Sequence, residues 1–174
     1  MEADLGVLRC PPAGHLIPPA MTTTLRINGS DREVTTHPRA ALLWALRDEL
    51  GCASAKYGCG VGQCGACRVL IDGAVSASCE VSVADAVGRA VTTLEGLVGD
   101  GRAARVVAAM VAVDAGQCGY CLPGIVTTLT VLGERSASPD RDEVVRALDA
   151  HLCRCGAHRR ILDAACAALG VVDE

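Results

Sequence analysis

From Lys56 to Cys79 the chain reads KYGCGVGQCGACRVLIDGAVSASC, which places Cys59, Cys64 and Cys67 in one glycine-dense loop and Cys79 after a short hairpin. No other stretch restricts the fold so tightly. A C-x4-C-x2-C run followed by a distant cysteine is the plant-type ferredoxin spacing, in which four thiolates hold a 2Fe-2S cluster. Gly58, Gly60, Gly62 and Gly65 permit the close wrapping this requires, because residues without Cβ let successive N–H groups turn toward a negative cluster. The alternative is a structural zinc site of four cysteines. Zinc knuckles use paired C-x2-C units and need no run of alternating glycines.

The remaining cysteines decide how the rest of the chain is used. There are eleven in all, at positions 10, 52, 59, 64, 67, 79, 118, 121, 153, 155 and 166, an odd number in tight clusters that suits metal ligation better than a secreted disulfide framework. With 174 residues, 51% of them hydrophobic, the chain has room for two small domains. Aromatics are only 2% and Phe is absent, so any core must be built from Val, Leu, Ile and Ala, with cofactors as part of the filling. A net charge of −4 argues against a nucleic-acid surface, and no run approaches the length of a membrane-spanning helix. Glu2 and Asp4 stand where a secretory signal would be basic, and Pro11, Pro12, Pro18 and Pro19 interrupt any apolar run. Residues 1–21 are therefore expected to be a flexible extension, with Cys10 unimportant, Met21 an alternative start and the protein cytoplasmic.

Local patterns then divide the chain. Thr22–Ile27 alternates, Asn28-Gly29 supplies a hairpin turn and Arg32–Thr36 returns. Leu42, Leu43, Leu46 and Leu50 fall at helical spacing before Gly51, with Trp44 expected to pack on the sheet. A second hairpin, Arg68–Ile71 and Ala74–Ser78 about Asp72-Gly73, delivers Cys79, and Val91–Thr93 is expected as an edge strand. This is the β-grasp pattern. Beyond residue 98 the strand signals stop. Helices are expected over 102–115, over 123–132 with Gly133 as the stop, after the Asp140/Glu143 capping box with Val144, Val145, Leu148 and Leu152 as buried stripe, and through Ile161, Leu162, Ala165 and Leu169 to Gly170. The fold class is thus α+β: a ferredoxin-like domain over 22–98, then an all-α four-helix bundle over 99–174. Cys166 lies on the last apolar stripe and reads as core; Cys52 is left outside both sets.

A second set of four thiols stands between those helices. QCGYC and LCRCG supply Cys118, Cys121, Cys153 and Cys155, a C-x2-C and a C-x-C separated by 31 residues. Each pair precedes a helix, whose N-terminal amides favour an anionic ligand. Taken alone, the set also fits zinc or a redox dithiol.

GCGVGQCGACRVLIDG, QCGYCLPG and LCRCG, in that order, resemble the three signatures of the small two-cluster iron-sulfur subunit of the molybdenum hydroxylases, the group of xanthine dehydrogenase and aldehyde oxidoreductase. The resemblance covers about residues 22–170. It implies that Cys59, Cys64, Cys67 and Cys79 hold the cluster distal to molybdenum, and that Cys118, Cys121, Cys153 and Cys155 hold the proximal one. It also implies that Gln117 and Cys155 lie against the pterin of a molybdenum cofactor held by a large partner subunit, with an FAD subunit or a cytochrome as electron acceptor. Many members have Thr-Gly-Tyr after the C-x-C, whereas this chain has Gly156-Ala157-His158-Arg159-Arg160-Ile161, closer to isoquinoline- and nicotinate-type enzymes. An N-heterocycle or an aldehyde is the expected substrate, and no catalytic residue is expected on this chain. Lys56, Arg68, Arg154, Arg159 and Arg160 lie near cysteines and either offset cluster charge or meet a partner, with ordinary solvated surface the alternative for Arg159 and Arg160. The competing readings are a free-standing ferredoxin-like carrier and a zinc-binding structural module.

Overall fold

The computed structural model describes residues 22–171, so the expected extension over 1–21, with Cys10 and Met21, lies outside the described residues. Strands β1 (Thr23–Ile27) and β2 (Ser30–Val34) form an antiparallel hairpin. Its turn, Asn28 and Gly29, has φ of 52° and 81°, the left-handed pair of a two-residue hairpin that matches strand twist. β3 (Arg68–Ile71) and β4 (Ala74–Ala77) repeat the device about Asp72 and Gly73. The last strand, β5 (Ala90–Thr92), is not at the edge. It lies at the centre of the order β2-β1-β5-β3-β4, parallel to β1 and antiparallel to β3, because it pairs on both sides and buries Val91.

The helix that crosses this sheet tightens and then widens. Leu42–Trp44 is a single α-helical turn, α1, followed at once by π-helical turns over Ala45–Glu49, with Leu50 N–H reaching back to the Ala45 carbonyl at 3.1 Å. Leu42, Leu43 and Leu46 are fully buried beneath it with Leu25, Ile27, Val34, Val69 and Ile71. Trp44 departs from expectation. It is 39% exposed and stacks on Tyr57 instead of the sheet, since the buried side of this short helix is already filled by leucines. A short α2 (Val83–Ala86), capped by Ser82, leads to β5.

The second body is helical. α3 (Leu94–Gly99), α4 (Ala104–Ala112), α5 (Leu122–Arg135), α6 (Arg141–Leu148) and α7 (His158–Leu169) enclose a core of Leu97, Val106, Met110, Ile125, Leu129, Val144, Leu148, Ile161 and Leu169. α6 begins with the expected capping box: Glu143 N–H donates to Asp140 at 2.7 Å and Asp140 N–H to Glu143 at 3.0 Å. Two expectations are corrected here. Gly133 does not stop α5, which runs through it; the missing side chain lets Leu169 of α7 approach, and a Cβ there would lie 2.7 Å from the leucine methyl. Leu152 and Val145 are not in the buried stripe: α6 ends at Leu148, leaving Leu152 64% and Val145 38% exposed.

One strand joins the two bodies. Val69, Leu70 and Ile71 of β3 are all buried; Val69 and Ile71 face the first core, while Leu70 belongs to the helical core. α5 therefore packs on the back of the sheet, and its N-terminus is brought against the first cysteine loop.

Candidate metal centres

The first loop is shaped around sulfur. Backbone N–H groups of Gln63, Cys64 and Val61 point at Cys59 Sγ at 3.2, 3.3 and 3.5 Å; Cys59 N–H points at Cys64 Sγ and Gly62 N–H at Cys79 Sγ, both at 3.4 Å. Such amides stabilise thiolate over thiol. The Val61 N–H, with those of Cys64 and Gln63, brings the Cys59 thiol down to about 7, whereas burial pushes Cys79 up to about 11. Gly58 shows why the loop is glycine-rich: a Cβ there would sit 2.6 Å from Cys64 Sγ, inside the space the sulfur occupies. Cys67 is buried on the sheet side, and Ser78 next to Cys79 donates its hydroxyl to the Cys67 carbonyl at 2.8 Å.

The second set gathers at the N-terminal ends of α5 and α7. Cys121 is the residue on which α5 begins, and Cys155 stands shortly before the first turn of α7. The sulfurs of Cys118 and Cys155 are 3.4 Å apart, and Cys121 faces Cys153. The Tyr120 N–H holds the Cys118 thiol low, while burial raises Cys121 to about 12. Both sets thus consist of thiols turned inward in facing pairs with amide donors behind them, a donor set that fits an anionic iron-sulfur group. Among the described residues, no three His, Cys, Asp or Glu side chains close in on a single-ion site.

The remaining cysteines lie elsewhere. Cys52 is buried in the first core and Cys166 in the second, with the Arg141 guanidinium 3.8 Å from its sulfur. Gln117, singled out before Cys118, donates from Nε2 to the Cys155 carbonyl at 3.2 Å on the exposed side of the second set. Of the basic residues, Lys56 binds the Ala53 carbonyl and Arg68 reaches the Gly62 carbonyl inside the first loop. Arg154 lines the cavity beside Cys153, and Arg159 pairs with Asp163 in solvent.

What sequence reasoning missed is the seam between the sets. Leu152 N–H donates to the Cys64 carbonyl at 3.0 Å, so the residue before one proposed ligand is bonded to another proposed ligand of the other set. A Cβ on Gly124 would run into the Gly65 carbonyl oxygen, and one on Gly65 would run into His151 Nδ1. His151 is 4% exposed, with Nε2 at 2.9 Å from Thr128 Oγ1 and no partner for Nδ1 among the described residues. Burial, then the charge of Arg68, holds its pKa down at about 4, so it fills the seam as a neutral ring. The only sequence signal for it was a histidine two places before Cys153, which has no meaning until the fold brings Gly65 against it.

Comparison with known proteins agrees with this geometry. Residues 25–92 match the 2Fe-2S iron-sulfur cluster binding domain family and residues 93–166 the 2Fe-2S binding domain family. A nicotinate dehydrogenase subunit from Pseudomonas putida is 43% identical over 143 residues, covering 82% of this chain and 91% of that one. The alpha subunit of isoquinoline 1-oxidoreductase from Brevundimonas diminuta is 38% identical over 136 residues, 78% of this chain and 89% of that one. Among solved structures, quinoline 2-oxidoreductase from Pseudomonas putida 86 superposes with a TM-score of 0.77 at 33% identity, over 86% of this chain and 94% of the matched chain. Aldehyde oxidoreductase from Desulfovibrio desulfuricans gives 0.77 at 34%, over 86% of this chain but 17% of that much longer one.

Proposed function

The chain belongs to the small iron-sulfur subunits of the molybdenum hydroxylases, electron-transfer parts of oxidoreductases, and on that premise we propose that its eight clustered cysteines hold two 2Fe-2S clusters in series. Cys59, Cys64, Cys67 and Cys79 are the ligands of one, and Cys118, Cys121, Cys153 and Cys155 those of the other. Each cluster, when bound, takes up and releases one electron at a time.

The observation that carries a relay, as against two separate centres, is the hydrogen bond between Leu152 N–H and the Cys64 carbonyl. Through it the backbone of Cys153 is linked to the backbone of Cys64 by one hydrogen bond and a few covalent bonds. The chain's own contribution is insulation and fixed spacing: buried Cys67 and Cys121, His151 packed in the seam, and backbone amides turned toward the sulfurs of Cys59 and Cys118.

Within the holoenzyme, the bundle face bearing Gln117 and Cys155 meets the pterin of a molybdenum cofactor on a large partner subunit. Gln117 spends one amide hydrogen on the Cys155 carbonyl, which leaves its oxygen and a second hydrogen for a polar ring edge. An N-heterocycle or aldehyde is the substrate of that partner, in keeping with the names of the relatives, and an FAD subunit or a cytochrome is the acceptor. A reducing, cytoplasmic setting suits ten described cysteines that form no disulfide. No helix among the described residues is long and apolar enough to cross a membrane.

Expression with and without the partner tests this. The complex should contain about four irons per copy of this chain, two for each cluster, and the reduced protein should give two electron paramagnetic resonance signals. Zinc in place of iron in anaerobic material would support the structural module, and a stable two-cluster chain with no affinity for a large subunit would support the free carrier.

A further inference from the structure

The chain contains one Trp, two Tyr and no Phe, and all three aromatic residues meet at one place. Trp44 and Tyr57 stack with ring centroids 5.2 Å apart and planes at 29°, and the Tyr120 hydroxyl donates to the Tyr57 carbonyl. None of them serves a core: they are 39%, 48% and 47% exposed, while both cores are built from aliphatic side chains. These half-buried rings pack beside the cysteine loops and not inside either core.

Tyr120 stands between Cys118 and Cys121, and its backbone N–H already serves the Cys118 sulfur. Tyr57 stands two residues before Cys59, with its hydroxyl over Gly60, where a Cβ would come within 2.9 Å. Tyr120 and Leu152 both wall a cavity of about 290 Å³ that also touches Gly58, Cys64 and Cys153. Each carries one link from the second cysteine set to the first loop, Leu152 to the carbonyl of Cys64 and Tyr120 to that of Tyr57, at the entry of the loop. The packing of α5 on the sheet joins the bodies, and these two links, at separate points of the same loop, set how the second cysteine set lies against the first.

We propose that Tyr120 is a positioning residue for electron transfer: its hydroxyl, received by the Tyr57 carbonyl that the Trp44 stack steadies, fixes the separation and orientation of the two thiol sets. The inference rests on the reading that both sets hold clusters. Tunnelling between weakly coupled centres falls steeply with distance, so a clamp at the seam acts on rate without touching either cluster.

The test uses the complete complex carrying Tyr120→Phe, which keeps the ring and removes only the hydroxyl. Iron content and both resonance signals should be retained. The magnetic splitting between the two reduced clusters should change, with the unclamped population raised roughly fivefold, the factor carried by one neutral hydrogen bond of ordinary strength. Electron passage from the second set to the first, followed by rapid mixing with a one-electron donor, should slow. Tyr57→Phe is the control, because the acceptor is a backbone carbonyl, and should leave the splitting unaltered. Trp44→Leu should move it in the same direction as Tyr120→Phe, to a smaller extent. An unchanged splitting in Tyr120→Phe would overturn the proposal, whatever the melting temperature; a lowered one would reduce the hydroxyl to a stability contact. Loss of iron from either set in that variant would also overturn it, by making the contact one of assembly. A wild-type complex without two signals would instead bring down the two-cluster reading, and this inference with it.

Discussion

Gln117 distinguishes a cap from a contact. Its side chain bonds the Cys155 carbonyl at 3.2 Å on an exposed surface, so removing it costs one solvent-accessible hydrogen bond, about 0.5–1.5 kcal/mol at most. If that were its whole role, Gln117→Ala would lower the melting temperature slightly and leave substrate-driven reduction of the complex as fast as before. The expected outcome is different: both clusters assembled, and either molybdenum content or the rate of cluster reduction by substrate clearly lowered. Measuring molybdenum and stopped-flow reduction on the same sample separates the two. The grouping of the cysteines is legible in the sequence because the C-x4-C-x2-C, C-x2-C and C-x-C spacings are local and a loop wrapped on sulfur demands glycine where sulfur meets backbone, as at Gly58 against Cys64. His151 was not legible, since nothing about its neighbours in sequence says that Gly65 will press on its ring.

At the scale of elements, the widened turn over Ala45–Glu49 has a job. It carries Glu49 to the end of β2, where its carboxylate accepts from Thr35 N–H and Thr36 N–H, both at 2.6 Å, and from both threonine hydroxyls. These bonds, the Thr35 N–H foremost, hold the Glu49 pKa below its ordinary value of 4.5. The sign follows: a carboxylate with a depressed folded pKa stabilises the fold above the unfolded value and loses that contribution as pH falls through the folded one. Glu49→Gln should therefore lower the melting temperature modestly at neutral pH and make no difference in strong acid, so that the two proteins converge below pH 4.5. Thermal scans across that range check it. Equal melting temperatures at pH 7 would show that water replaces the carboxylate at no cost. Hairpin turns and the Asp140/Glu143 box were legible because two to four residues encode them. The central place of β5 and the passage of α5 through Gly133 were not: strand order and helix–helix approach are decided by residues far away, such as Leu169.

The whole molecule is two aliphatic cores held back to back by β3 and clipped together along the cysteine loops. Gly124 measures how closely. Its added methyl would drive into the Gly65 carbonyl, a backbone atom that cannot swing away, so Gly124→Ala should cost about 1–3 kcal/mol by overpacking and lower the melting temperature. Gly99→Ala, where no atom lies within 4 Å, is the matched control and should be neutral or slightly stabilising. Calorimetry of the pair reads the seam directly; equal stabilities would mean that the two bodies slide apart freely. The two-part architecture itself was legible, because strand alternation gives way to helical periodicity after the last strand, but the way the parts meet was carried by contacts between residues dozens of places apart. The lone indole has one more consequence. Because Trp44 is the chain's single tryptophan and stacks on the tyrosine that leads into the first cysteine loop, nearly all of the protein's ultraviolet emission arises beside that loop. Visible-absorbing iron placed nearby would drain the excited state, so a fluorimeter can follow iron entering this end of the molecule in real time, without a label.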